Sequence, residues 1–156
     1  CALSKDLLST SGRLRYDLIL ALHDDPFSAG NNLVKEDTLV WVSGTDSDAH
    51  LQMILPLIAA PEGCIYRKRG KETLQKNQKS WRIVYTIPDL TGIQAAINEG
   101  LGVTVLAKST VPANLRILNN NAKLPKLGKV GISLISQNSD PSEAITRLME
   151  FVKASL

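Results

Sequence analysis

The sharpest hydrophobic pattern in the chain lies at Trp81–Leu106. Trp81, Ile83 and Tyr85 alternate with Arg82, Val84 and Thr86, which predicts a strand. Pro88 and Asp89 suit the first turn of a helix. Leu90, Ile93, Ala96 and Ile97 then recur at helical spacing. Gly100 falls where a helix ends in a left-handed residue, and Gly102–Leu106 is an apolar run suited to a strand buried on both faces. Strand, helix and strand together predict one parallel βαβ unit. Open α/β sheets bind ligands at the carboxyl ends of strands, where helix N-termini present amides, so Thr86–Thr91 is a candidate binding corner.

The same patterning divides the rest of the chain. Ser4 suits a helix N-cap, Asp6 its positive end, Leu7 and Leu8 its apolar side, and Ser11-Gly12 its end. Leu14–Leu22 is nearly all apolar and predicts a central strand. His23–Asn32 reads as a turn-rich loop, Thr38–Val42 as a strand and Ser43–Asp48 as a polar loop. Leu55–Ala60 is another apolar run, with Pro56 indicating an edge strand or a strand start. Pro61-Glu62-Gly63 predicts a turn, and Cys64–Lys79 a helix followed by a polar loop. Beyond Pro112, Leu115–Leu118 and Val130–Leu134 predict strands, the second alternating through Val130, Ile132 and Leu134. In the last helix Asp140 caps, Pro141 takes the first position and Glu143 completes a capping box. Its stripe of Ile145, Leu148, Met149, Val152 and Leu156 predicts a structural helix packed on the first of two lobes.

Composition narrows the function classes. With 156 residues, 44% of them hydrophobic, the chain can bury one ordinary core or two small ones. A net charge of only +3 and 4% aromatic residues argue against a dedicated nucleic-acid binder with base-stacking platforms. The two cysteines, Cys1 and Cys64, have no CxxC spacing and there are two histidines, so neither a disulfide framework nor a zinc site is expected. No apolar run approaches the roughly 20 residues of a membrane span, and no signal peptide is visible. No cofactor is indicated.

Catalytic chemistry has little support. His23 and His50 lack partner spacing, and Asp24-Asp25 reads as a solvated pair, so no catalytic residue is assigned and no enzyme is expected. Cys64 reads either as a thiol activated by a helix N-terminus or as a small buried residue. From Arg67 to Arg82 there are seven basic residues against one acid, Glu72, which suits a solvated helix face or contact with phosphates. Gly63–Arg67 forms a strand-to-helix turn, where Arg67 either clamps a carboxylate in bidentate fashion or points outward.

The run EGLGVTVLAKSTVP resembles the effector-binding domain of LysR-type transcriptional regulators, in which a helix ending A-G-L-G-V enters a strand and a proline-bearing loop. PEGCIYRKRGKETLQ and SWRIVYTIPDLTGIQAAI are similar to the subgroup related to HexA and LrhA. The resemblance runs more weakly over most of the chain, including Asp17 as the family's aspartate within a buried strand. It implies an α/β, two-lobed fold of the type 2 periplasmic-binding-protein kind with mixed sheets. One lobe would span 38–116, and an incomplete one 1–37 with 117–156, lacking its first strand and helix. The N-terminal winged helix-turn-helix would be absent.

The resemblance also implies a function. A small-molecule effector, an anion being suited, would enter a cleft between the lobes and reach Ser4, Cys64, Tyr66, Arg67, Thr86 and Pro88. Tyr66 and Arg67 match the family's aromatic-arginine pair, and Ser4 and Thr86 are either effector-binding hydroxyls or plain caps. The partners would be a second copy, as homodimer or tetramer, and promoter DNA through the missing domain. The setting would be cytoplasmic, with no membrane. Two alternatives share the fold. One is a solute-binding lipoprotein acylated at Cys1, and the other is an oligomerisation module with no small ligand.

Overall fold

The computed structural model describes residues 4–9, 15–118, 123–138 and 140–156. Cys1, the helix end at Ser11-Gly12 and the start of the Leu14–Leu22 run lie outside them. The chain forms two compact units, residues 1–37 with 129–156, and residues 38–128. The second unit therefore extends past 116, where sequence reasoning ended it. Long-range hydrogen bonds account for the extension. Leu118 N donates to Trp41 O at 2.9 Å, and Trp41 Nε1 donates to Pro125 O at 2.8 Å. Arg69 Nη1 donates to Leu127 O, also at 2.8 Å.

In the first unit, helix α1 is one turn, Ser4–Leu7, and strand β1 is Leu18–His23. Strand β7, Lys129–Ser136, pairs antiparallel with β1, matching Leu18 with Ser136 and His23 with Gly131. The expectation of a central strand at Leu14–Leu22 needs correction. Ile19 and Ala21 are buried, whereas Leu20 is half exposed, so β1 covers the core with one face only. Asp17 is exposed and precedes the strand, where its carbonyl accepts from Gln137 N. In β7 burial is continuous rather than alternating, because Gly131 and Ser133 are buried beside Val130, Ile132 and Leu134.

The loop expected at His23–Asn32 contains a 3-10 helix, Pro26–Asn32, capped by the Asp25 carboxylate. Strand β2, Leu33–Gly44, is much longer than Thr38–Val42 and absorbs Ser43 into the sheet. The final helix is α4, Glu143–Ser155. Its N-cap is Ser142, whose Oγ accepts from Ile145 N, so the expected capping box at Asp140 and Glu143 does not form. Glu143 instead pairs with Arg147 one turn on, at 2.5 Å. None of the α4 residues is buried, so its apolar stripe is only partly covered.

In the second unit, strand β3, Leu55–Ala59, is buried throughout. It pairs in parallel with β4, Trp81–Thr86, and bridges in parallel to Val103 through Leu57. Strand β3 is thus flanked on both sides, so of the two readings of Pro56 the strand start holds, at the second residue of β3, and the edge strand does not. Proline is tolerated there because its carbonyl still accepts from Val103 N at 2.9 Å. Helix α2, Ile65–Lys76, connects β3 to β4, and helix α3, Leu90–Asn98, connects β4 to β5, Thr104–Ala107. The predicted βαβ unit forms, with β3 inserted between its two strands. β5 also pairs antiparallel with β2, as does β6, Leu115–Ile117, which makes the sheet mixed.

Two helices seal this sheet. On α3, Ile93, Ala96 and Ile97 join Val42, Ile58, Leu106 and Leu115 in one buried cluster. Helix α2 approaches closely at Gly70, where a Cβ would lie 3.1 Å from Val105 Cγ2. Burial of this kind is the main stabilising term of such a unit.

Candidate binding corner at the ends of β3 and β4

Strands β3 and β4 end side by side at Ala59 and Thr86, and Ile87 N donates to Ala59 O at 3.2 Å. The chain leaves β3 through Pro61-Glu62-Gly63. Gly63 has a φ of 93°, which glycine adopts without strain. That turn starts α2 at Cys64, an N-cap with no side-chain hydrogen bond. The other helix at this corner differs. Asp89 is the N-cap of α3 rather than a first-turn residue, and its carboxylate accepts from Gly92 N at 2.7 Å. The start of α3 therefore already carries its own anion, which disfavours the ligand role expected for the amides near Thr91.

Arg67 is the centre of the corner. Only 13% of its side chain is exposed. Nη1 donates to Ala60 O at 3.0 Å and to Thr86 Oγ1 at 3.5 Å, and Nη2 donates to Glu62 Oε1 at 2.5 Å. Nε is buried with no hydrogen-bond partner among the described residues. An unmet buried donor on a charged group is costly, and such groups commonly mark places where a ligand or water completes the site. Lys71, one turn along α2, donates to the same Glu62 oxygen at 3.1 Å and lies 5.8 Å from the Trp81 ring centre. Lys71 and Arg67 hold the Glu62 carboxyl below the usual carboxylate range.

Beside these groups lies an apolar cavity of about 40 Å³, lined by Cys64 at the N-cap and by Tyr66, Arg67 and Lys71 on α2. Leu57 and Ile58 of β3, Ile83 of β4 and Val105 of β5 close its far side. That volume is room for about three water molecules or a short aliphatic group. Oriented donors beside an apolar pocket are the usual makings of a small-molecule site.

The structure brings Cys64, Tyr66, Arg67 and Thr86 together, with Pro88 exposed two residues beyond Thr86. Tyr66 also packs against the buried cluster of this unit. Cys64 is a free thiol of intermediate exposure. Ser4 belongs to the other unit, where its Oγ accepts from Leu22 N at 2.9 Å. The basic run is not uniformly a solvated face. Arg67, Arg69 and Lys71 hold specific partners, whereas Lys76, Lys79 and Arg82 are exposed. Glu62 and Lys71 were missed as site residues. The helical i, i+4 spacing of Arg67 and Lys71, just after a turn carrying an acid, was the signal available.

The mixed sheet with its flanking helices gives this chain the α/β fold of periplasmic-binding-protein-like regulatory domains. The chain belongs to the LysR substrate binding domain family, whose model matches residues 15–156. It is 27% identical to the HTH-type transcriptional regulator DgdR of Burkholderia cepacia over 158 residues. That match takes in 100% of this chain and 53% of DgdR, so the chain spans about half the length of that relative. A variant of the HypT regulatory domain from Salmonella typhimurium shares the fold, with a TM-score of 0.75 at 14% identity, over 100% of this chain and 84% of that one. The CcmR regulatory domain of Synechocystis in complex with 2-PG has a TM-score of 0.66 at 14% identity, over 99% of this chain and 80% of that one. Among the described residues no helix is long and apolar enough to cross a membrane.

Proposed function

We propose that this domain senses a small anionic molecule at the β3–β4 corner and passes its occupancy to DNA-binding domains of a cytoplasmic LysR-type regulator. One observation carries the reading. Arg67 is largely buried, keeps an unpartnered Nε, and lines an apolar cavity. Cys64 and Tyr66 supply the wall, Thr86 a hydroxyl, and Pro88 the rim. Ligand binding favours one arrangement of the regulator over another by its differential affinity, and dimers or tetramers convert that into altered spacing of the DNA-reading heads. Placement near HexA and LrhA rests on the Pro61–Gln75 and Ser80–Ile97 segments.

The test is a thermal-shift screen of this chain against short and aromatic carboxylates, with Arg67→Ala and Thr86→Val alongside. A ligand at 100 times its dissociation constant adds about 2.7 kcal/mol of stability. The expected result is a shift for at least one carboxylate that Arg67→Ala abolishes. A shift that persists in Arg67→Ala would place the ligand elsewhere.

A further inference from the structure

We propose that Glu62 is an internal occupant of the anion subsite, so that a carboxylate ligand binds at the Arg67 corner by displacing it. This rests on the ligand-binding reading of the same corner. Glu62 stands on the turn before α2, and its side chain is 69% exposed, so it can swing out without disturbing the core. A single oxygen, Oε1, accepts from both Arg67 Nη2 and Lys71 Nζ. One carboxylate thus faces two cations, and an excess positive charge remains at the corner.

The geometry also shows what Glu62 leaves undone. The side edge of a guanidinium presents Nε and Nη2 as a parallel pair of donors, matched to the two oxygens of one carboxylate. Glu62 engages Nη2, and Nε stays buried and unmet. A ligand carboxylate placed on that edge satisfies both donors, and its body enters the adjoining cavity. At about 40 Å³ the cavity suits a short aliphatic chain rather than a ring. The ligand class is accordingly a short-chain aliphatic carboxylate, and Glu62 sets the threshold concentration at which it binds.

Butyrate is the probe. Its affinity is measured by calorimetry on the wild-type chain, Glu62→Ala, Arg67→Gln and the double variant. The Arg67 Nε–H resonance is followed in parallel, and amide spectra confirm folding. Removing Glu62 should tighten butyrate binding about fivefold, the upper range for competition with an exposed ion pair. Butyrate should shift the Nε–H resonance, and the double variant should not bind. Equal affinity in wild type and Glu62→Ala, with loss in Arg67→Gln, would overturn the competition and leave the corner as the ligand site. No binding in either protein, with an unmoved Nε–H resonance, would overturn the inference and remove short carboxylates from the reading it rests on.

Discussion

Arg67 Nη1 lies 3.5 Å from Thr86 Oγ1, joining the first turn of α2 to the last residue of β4. The contact is at the outer limit of a hydrogen bond, and Thr86 is exposed, whereas the bond from the same nitrogen to Ala60 O is 3.0 Å. The two partners should therefore respond differently to substitution. Thr86→Val should change unfolding free energy by less than about 0.5 kcal/mol. Arg67→Ala should cost about 1–2 kcal/mol, because the Ala60 carbonyl loses a charged donor. Urea unfolding of both variants checks the ratio.

Gly102 sits where the chain enters β5 against Pro56. A Cβ there would lie 2.5 Å from Pro56 O, a backbone atom that cannot rotate away. Gly102→Ala should push the strands apart, weaken the bond from Val103 N to Pro56 O and destabilise by about 1–3 kcal/mol. Gly92 offers the contrast. Its nearest neighbour is the end of the Ile87 side chain, which can turn aside, and alanine gains up to about 1 kcal/mol of helix propensity. Gly92→Ala should come out close to neutral. Melting temperatures of the two variants test this ordering.

The cap of α4 can be separated from its sequence look-alike. Ser142 Oγ accepts from Ile145 N, so Ser142→Ala should cost about 1 kcal/mol. Asp140 lies outside the helix, and Asp140→Ala should change stability by less than about 0.5 kcal/mol. Hydrogen exchange at the first turn of α4 should accelerate only in the Ser142 variant.

His23 makes the first unit sensitive to mild acid. Its Nε2 lies 2.7 Å from the buried Ser133 Oγ, and burial lowers its pKa from the ordinary 6.5. The unfolded chain then binds this proton more readily than the folded one. The His23 contribution to stability should be complete above pH 6.5 and fall as pH drops from there through the folded pKa. His23→Gln should flatten that part of the profile. Chemical unfolding at a series of pH values from 8 to about 5 reads the slope directly.

Much of the architecture was readable because it depends on local spacing. The alternation at Trp81–Thr86, the stripe of Ile93, Ala96 and Ile97, and the left-handed Gly100 all appear where the pattern placed them. Caps were less readable. Asp140 and Ser142 are both good capping residues two positions apart, and only the path of the backbone selects one. Strand position within a sheet was not readable either. Pro56 lacks a donor wherever it sits, and the neighbour on its second side is Val103, 47 residues away.

The candidate site divides in the same way. By itself the sequence determined that Cys64–Arg67 follows a turn at the end of a strand, and that Thr86 ends another, since turn chemistry and alternation are local properties. Tertiary structure alone decided that these ends are neighbours, that Arg67 Nε is buried and unmet, and that Glu62 and Lys71 complete the corner. The physical reason is that pairing of β3 with β4 sets which helix faces which strand end. Burial and hydrogen-bond supply at one guanidinium then follow from residues far apart in the chain.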